Sequence, residues 1–92
     1  TNVYGLRVKG DSMIDAFIAD GDLVLMEPVS QAETGDMVAA EIIDMEEVTL
    51  KRFFLEGNMV RLQPENPTME PIMVPADRVA IRGRVVGVIR SI

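Results

Sequence analysis

The stretch Leu6–Ile14, LRVKGDSMI, joins two kinds of local structure around one serine. Up to Lys9 the apolar and basic side chains alternate, which is the period of a half-buried strand, and Gly10 ends the alternation. Over Met13–Ile18 the apolar residues recur at helical spacing for about a turn and a half. Ser12 is therefore predicted to lie between a strand and a short helix, where its hydroxyl is exposed.

Short apolar segments fill the rest of the chain, separated by turn signals such as Asp20-Gly21-Asp22 and Gly57-Asn58. Strands are predicted over residues 23–26, 37–43, 48–55, 59–62, 72–74 and 79–89. Their spacing of roughly ten residues, without an internal repeat, is typical of compact antiparallel sheets. The predicted fold is all-β, a mostly antiparallel sheet or partly closed β-barrel with one short helical turn after Ser12.

Length and composition limit what this fold can contain. The chain has 92 residues, enough for one domain with one core. Apolar residues make up 48% of the sequence and aromatic residues only 4%. The core is therefore predicted to consist of Val, Ile, Leu and Met, which favours a sheet over aromatic-rich helical packing.

Charge and residue usage exclude several function classes. A formal net charge of -6 argues against nucleic-acid binding by this segment itself, because phosphate neutralisation supplies most non-specific affinity. With no cysteine and no histidine, disulfides, thiolate catalysis and Cys/His zinc sites are excluded. Asp20-Gly21-Asp22 is expected to be a turn, and no metal or cofactor is predicted. No apolar run approaches the roughly 20 residues that span a bilayer, so a cytoplasmic protein without membrane contact is expected.

A serine nucleophile in a chain without histidine or cysteine can be activated only by a lysine or a carboxylate. In the strand predicted over 48–55, alternate residues share a face, which places Thr49 and Lys51 beside Phe53 and Leu55. An apolar surrounding disfavours the ammonium form and lowers the pKa of Lys51 from about 10.4. Lys51 is the candidate general base, and Thr49 is the candidate side chain that orients it.

Ser12 is the candidate nucleophile, and the backbone N–H groups of Asp11 and Ser12 are candidate oxyanion donors because they precede a helix start. Two simpler interpretations stay open at this level. Ser12 and Asp15 also fit a capping box, in which the serine only closes the helix start. A single strand lysine such as Lys51 often extends to solvent.

The serine and lysine segments together resemble the LexA-type self-cleaving peptidases, and the resemblance covers essentially the whole chain. The segments that carry it are Arg7–Asp15, Asp20–Leu23 and Val48–Arg52. Two further groups resemble the repressors of this family more than their mutasome relatives, namely Leu62–Pro67 with Pro71-Ile72, and Gly83–Arg90. Where relatives carry Gly-Met-Ser-Met, this chain has Asp11, which is not expected to disturb a backbone donor.

The resemblance implies a sheet of the LexA and signal-peptidase type, and a role as the carboxy-terminal catalytic and dimerisation domain, residues 1–92, of a repressor of the DNA-damage (SOS) response. In this family a RecA filament on single-stranded DNA stimulates a latent Ser-Lys endopeptidase that cuts its own chain at an upstream Ala-Gly bond. Carried over, Ser12 is the nucleophile, Lys51 the base, Thr49 its support, and the Asp11 and Ser12 amides form the oxyanion site. Neither Ala-Gly nor Cys-Gly occurs in the sequence. The cleavage segment and a winged helix-turn-helix domain, through which operator DNA is bound, are therefore expected outside this chain, which then has no bond to cut in cis.

The last predicted strand indicates a homodimer contact. Simple alternation places Arg82, Arg84 and Arg90 on one face with Val86 and Val88, and Ile81, Val85 and Ile89 on the inner face. Charges of this kind commonly protect a sheet edge. The valines between the arginines suggest instead a stripe paired across a two-fold axis, and the resemblance also implies a dimer contact here. Four residues form this predicted dimer strand: Arg84, Val86, Val88 and Arg90.

Three alternatives accompany this hypothesis. A mutasome subunit processed by the same chemistry would be a binding module after cleavage. A phage-type repressor core would keep the fold and the dimer contact without activity, although the joint presence of Ser12, Thr49 and Lys51 argues against loss of activity. A type I signal peptidase would require a membrane anchor and typically a proline shortly after its Ser-Met motif, where this chain has Ile14-Asp15.

Overall fold

Seven antiparallel strands form a single sheet in the computed structural model, which describes residues 2–90. The strands are β1 (Tyr4–Arg7), β2 (Leu23–Glu27), β3 (Met37–Ile42), β4 (Glu47–Glu56), β5 (Met59–Gln63), β6 (Ile72–Pro75) and β7 (Val79–Ile89). Their order across the sheet is β1-β2-β7-β3-β4-β5-β6. Three 3-10 turns complete the structure, at Ile14–Ala16, Ile43–Met45 and Ala76–Arg78. The predicted all-β fold and the helical turn after Ser12 are confirmed. Across residues 2–90 there is no helix that combines the length and apolarity needed to cross a membrane.

Two apolar clusters cover opposite faces of the sheet at its centre. The first contains Val8, Met13, Ile18, Val24, Met26, Ala39 and Leu50, and the second contains Val38, Ala40, Ile42, Phe53, Val60, Leu62 and Val74. Strand β3 contributes to both clusters because its successive side chains point to opposite faces. Phe53 is the only aromatic residue in either cluster, so the core is aliphatic and methionine-rich, as the composition predicted.

Strand β4 keeps the regular alternation that its sequence predicted. Leu50 packs in the first cluster and Phe53 in the second, so these residues lie on opposite faces. Thr49 and Lys51 therefore share the face of Phe53. In the register with β3, Lys51 is opposite Val38 and Thr49 is opposite Ala40, two residues with no exposed surface. The apolar surrounding expected for Lys51 is thus present, and part of it comes from the neighbouring strand β3.

Strand β7 does not keep a regular alternation, because the pairing register shifts twice along it. Its partner on β3 steps from Ala40 to Ala39 while β7 advances from Ile81 to Gly83, so Arg82 is an extra residue. Its partner on β2 steps from Met26 to Leu25 while β7 advances from Val85 to Gly87, so Val86 is a second extra residue. Each β-bulge reverses which side chains point to which face.

The prediction that the arginines of β7 share one face is therefore wrong. Arg82 binds Glu41, whereas Arg84 is paired with Val38, and these two β3 residues are three positions apart and point to opposite faces. The predicted inner face is also divided. Ile81 packs against the second cluster, Val85 packs against the first, and Ile89 is half exposed.

Candidate active site

The segment before Ser12 is held by the turn that enters β2. Val8 donates its N–H to the carbonyl of Asp22 at 2.9 Å and accepts from the N–H of Gly21 at 2.8 Å. Gly10, in the left-handed conformation with φ of +85°, donates its N–H to the carboxylate of Asp20 at 2.7 Å. The acidic turn therefore fixes the position at which the chain bends toward Ser12.

The segment after Ser12 is a 3-10 turn that the serine does not cap. Met13 occupies the position before the turn, and no side-chain hydrogen bond closes this end. The capping-box interpretation of Ser12 is therefore wrong. Met13 is 1% exposed and packs in the first core cluster, so the residue next to the serine anchors the turn to the sheet.

The structure brings the Ser12 hydroxyl, the Lys51 amine and the Thr49 hydroxyl together. Lys51 Nζ donates to Ser12 Oγ at 3.3 Å and makes a shorter hydrogen bond to Thr49 Oγ1. The interpretation of Lys51 as a solvent-extending lysine is wrong, since its amine lies between two hydroxyl groups. A lysine amine in hydrogen-bond contact with a serine hydroxyl has the geometry that a general base needs.

Two opposing effects set the charge state of Lys51. Burial lowers the pKa of the Lys51 amine below its ordinary value, because the ammonium form loses hydration. The nearby carboxylate of Glu47 acts in the opposite direction and raises that pKa. The balance favours a pKa below that of a free lysine, which increases the fraction of neutral amine that can accept the serine proton.

A cleft of 490 Å³ opens onto this pair. One wall is formed by residues 6–12 and the other by residues 47–51, and Met69 contributes from a third segment. Within residues 2–90, strand β1 pairs with β2 alone, and the Glu47–Lys51 half of β4 pairs with β3 alone. Both walls therefore present an unpaired strand edge, to which an extended peptide can add by backbone hydrogen bonds.

The residues that carry the predicted oxyanion donors, Asp11 and Ser12, line this cleft. Within the described part of the chain, the N–H groups of Asp11 and Ser12 donate to no backbone or side-chain acceptor. Unengaged N–H groups beside a nucleophile are available to a negatively charged oxygen. The structure brings these groups together with Ser12 and Lys51, and their catalytic roles stay predictions.

Sequence patterns missed two parts of this site. Neither Glu47 nor Asn66 was among the candidate site residues, and both lie outside the strands that the sequence predicted. Asn66 Nδ2 donates to the carbonyl oxygen of Asp11 at 2.9 Å, across a sequence separation of 55 residues. No local sequence pattern predicts such a contact, because it depends on how β4, β5 and the following loop are placed relative to Asp11.

The predicted dimer residues are divided between ion pairs and exposed apolar side chains. Arg84 binds Glu27 at 2.6 Å. Arg90 binds the buried carboxylate of Asp22 at 2.9 Å and donates to the Phe17 carbonyl at 2.6 Å. The hydrogen bond from Arg90 lowers the pKa of the Asp22 carboxyl below its usual range. Val86 and Val88 are 51% and 43% exposed, and the structure contains a single copy of the chain.

An all-β sheet that holds a serine hydroxyl against a half-buried lysine, beside free strand edges, is the arrangement expected of serine hydrolases that use lysine as their base. The comparisons with known proteins agree with this class. Residues 1–86 match the family described as peptidase S24-like, and the chain belongs to this family.

Several LexA repressors are similar to the chain. It is 63% identical over 90 residues to that of Roseiflexus sp. (strain RS-1), covering 98% of this chain and 41% of the relative. It is 59% identical over 91 residues to that of Herpetosiphon aurantiacus, covering 99% and 42%. It is 55% identical over 87 residues to that of Thermotoga neapolitana, covering 95% and 43%. The chain thus spans about two fifths of the length of these relatives.

Proposed function

We propose that this chain is the carboxy-terminal catalytic and dimerisation domain of a LexA-type repressor of the DNA-damage response, and that it is a self-cleaving Ser-Lys peptidase. The observation that carries the proposal is the Lys51 amine in hydrogen-bond contact with Ser12 inside a cleft with two free strand edges. Membership of the peptidase S24-like family supports the chemistry. Similarity to proteins named LexA repressor favours a repressor over a mutasome subunit.

The geometry supports a two-stage acyl transfer. Neutral Lys51 accepts the hydroxyl proton of Ser12 while Oγ attacks the carbonyl carbon of the scissile bond. The negative charge that develops on the carbonyl oxygen is stabilised by the N–H groups of Asp11 and Ser12. The ammonium of Lys51 then gives its proton to the leaving amine, and water releases the acyl group. Thr49 keeps the amine directed at Ser12 throughout.

The complete protein would also contain the bond that is cut and the domain that binds DNA. We propose that an Ala-Gly cleavage segment and a winged helix-turn-helix domain belong to the same polypeptide, and that a RecA filament on single-stranded DNA stimulates cleavage. Operator DNA would be bound through the helix-turn-helix domain, because the net charge of -6 makes this domain a poor phosphate-binding surface. Such a repressor works in the cytoplasm, where the chromosome is.

Homodimerisation is the second part of the proposal. Strand β7 pairs with β3 over Val79–Arg84 and with β2 over Arg84–Ile89. Over residues 85–89, therefore, one edge of β7 meets no other strand of the described chain. The exposed Val86 and Val88 lie on this segment. Antiparallel addition of the same segment from a second copy would satisfy the free backbone groups across a two-fold axis.

Cleavage in trans tests the proposed activity. The chain is mixed with its full-length gene product carrying the Ser12→Ala substitution, at neutral and alkaline pH, and the products are identified by mass spectrometry. We expect one cut, at an Ala-Gly bond upstream of the domain, with a rate that increases with pH as Lys51 loses its proton. Lys51→Ala serves as the inactive control. An intact partner even at alkaline pH would overturn the proposed activity.

A further inference from the structure

The Asp11–Ser12 peptide group is the part of the site whose orientation matters most for charge stabilisation. Its N–H, on Ser12, is one of the two proposed oxyanion donors, and its carbonyl oxygen belongs to Asp11. Because the peptide group is planar, fixing the carbonyl direction also fixes the direction of that N–H. A group that binds the Asp11 carbonyl oxygen therefore also determines the direction of the Ser12 N–H.

Two hydrogen bonds hold this carbonyl oxygen. The N–H of Ile14 donates to it at 3.2 Å, which is long for such a bond, and Nδ2 of Asn66 donates at 2.9 Å. The first bond belongs to the local turn, whereas the second comes from the loop after β5. Asn66 thus supplies the shorter of the two contacts and the one that local folding does not provide.

The orientation of the Asn66 amide is itself determined. Its Oδ1 accepts from the N–H of Thr68 at 2.9 Å and from the Thr68 hydroxyl at 2.7 Å. An amide oxygen engaged by two donors leaves the NH₂ group to face the remaining acceptor, which is the Asp11 carbonyl. The loop is also held just before Asn66, since the Glu65 carbonyl accepts from the N–H of Asp15 at 2.7 Å and the Glu65 carboxylate binds Arg52 at 2.8 Å.

We infer that Asn66 is a positioning residue for the proposed peptidase reaction: it aims and polarises the Ser12 N–H toward the oxyanion through the shared peptide group. A donor on a carbonyl oxygen polarises the amide and strengthens the hydrogen bond that its N–H donates, by roughly 10–30% per bond. A misaligned oxyanion donor makes a weaker hydrogen bond to the developing negative charge, and the reaction rate falls steeply as a result. Among the described residues Asn66 makes no hydrogen bond to Ser12 or Lys51, so we expect its effect on the reaction at the oxyanion.

A fluorophosphonate probe tests this inference, which rests on the proposed function, without any cleavage segment. Ser12 Oγ forms a bond to phosphorus, the P–F bond breaks, fluoride leaves, and the serine proton passes to Lys51, while the phosphoryl oxygen occupies the oxyanion site. The labelling rate of the 92-residue chain is measured from pH 6 to 11 for wild type, Asn66→Ala and Asn66→Asp. Asn66→Asp keeps the acceptor oxygen that faces Thr68 and replaces the donor with a carboxylate oxygen, so it removes the donor without emptying the loop, whereas Asn66→Ala removes the donor without adding a charge.

We expect both variants to reduce the plateau rate about 10- to 100-fold, and we expect Asn66→Ala, which adds no charge, to leave unchanged the pH midpoint that reports Lys51. The matched control is Glu70→Gln, which removes one charge from an exposed residue of the same loop that makes no ion pair within the described chain, and it should label at the wild-type rate. A plateau unchanged in Asn66→Asp would overturn the inference alone. A shifted midpoint in both variants would overturn it too, because the loop would then act on Lys51 burial. A wild-type chain that is not labelled at Ser12 would overturn the proposed function and the inference with it.

Discussion

Two effects act on the pKa of the Lys51 amine: burial lowers it, and the Glu47 carboxylate raises it. Only the neutral amine can accept the serine proton, so the cleavage rate should increase with pH through the Lys51 pKa and level off above it. Removing the Glu47 charge should move this midpoint to lower pH. We expect Glu47→Gln to increase the rate at neutral pH by roughly three- to tenfold, measured as fluorophosphonate labelling or cleavage in trans.

The neighbouring Glu46 provides the control for this prediction. It is exposed, it lies one residue earlier in the chain, and Glu46→Gln makes the same change in net charge. The pH midpoint of the Glu46→Gln rate profile should equal that of the wild type. A pH profile of Glu47→Gln that coincides with the wild-type profile, or moves to higher pH, would contradict the conclusion that Glu47 raises the pKa of Lys51.

At the scale of single residues, part of this site could be predicted and part could not. The absence of histidine and cysteine left a lysine or a carboxylate as the possible base for Ser12, and alternation along one strand placed Thr49 with Lys51. These are conclusions from composition and from local period. Asn66 escaped prediction because its contact with Asp11 depends on long-range placement of a loop, and no local pattern encodes that.

At the scale of elements, the same rule of alternation succeeded on β4 and failed on β7. Both sequences are apolar with interspersed charges. Strand β4 pairs in continuous register, so residues two apart stay on one face. Strand β7 changes partners from β3 to β2 along its length and contains an extra residue in each pairing, at Arg82 and Val86. A bulge is set by the register of both strands, which is why the single sequence of β7 did not predict it.

Gly83 follows the first bulge and allows the close approach of Tyr4. A methyl group added at Gly83 would meet the Tyr4 hydroxyl at a distance below van der Waals contact, and the Glu27 carbonyl at 3.1 Å. Tyr4 donates from that hydroxyl to the Arg82 carbonyl at 2.9 Å, so it has little freedom to move aside. We expect Gly83→Ala to reduce the free energy of unfolding by about 1–3 kcal/mol in urea titrations.

The double variant Gly83→Ala with Tyr4→Phe separates this clash from a general effect of alanine. Removal of the hydroxyl opens space for the new methyl group, so part of the lost stability should return relative to the sum of the two single variants. Gly5→Ala, on the edge strand β1, is the comparison, because its nearest neighbour is the flexible side chain of Leu23. Strict additivity of Gly83→Ala and Tyr4→Phe would show that the clash is not the cause.

At the scale of the whole molecule, the active site and the proposed dimer contact are separate. Every residue of the cleft that contains Ser12 comes from residues 6–12, 47–51 and Met69 of one chain. The proposed contact lies on the free edge of β7 at Val86 and Val88. Since the reacting groups need nothing from a second copy, dimerisation and Ser12 reactivity should be independent of each other.

The variants Val88→Glu and Val86→Glu test this independence. Pairing across a two-fold axis would bring two new carboxylates together and remove apolar contact, so we expect the chain to sediment as a monomer at concentrations where the wild type is a dimer. Urea titration of each variant checks that the sheet is intact. Met73→Glu, a similar change at a 49% exposed residue on edge strand β6, should stay dimeric.

Fluorophosphonate labelling of Ser12 should agree with the wild-type rate within about twofold in all three variants, because the base and the oxyanion donors lie in one chain. A Val88→Glu chain that remains dimeric would argue against β7 as the contact, and a monomer that loses Ser12 reactivity while keeping its fold would show that the two sites are coupled.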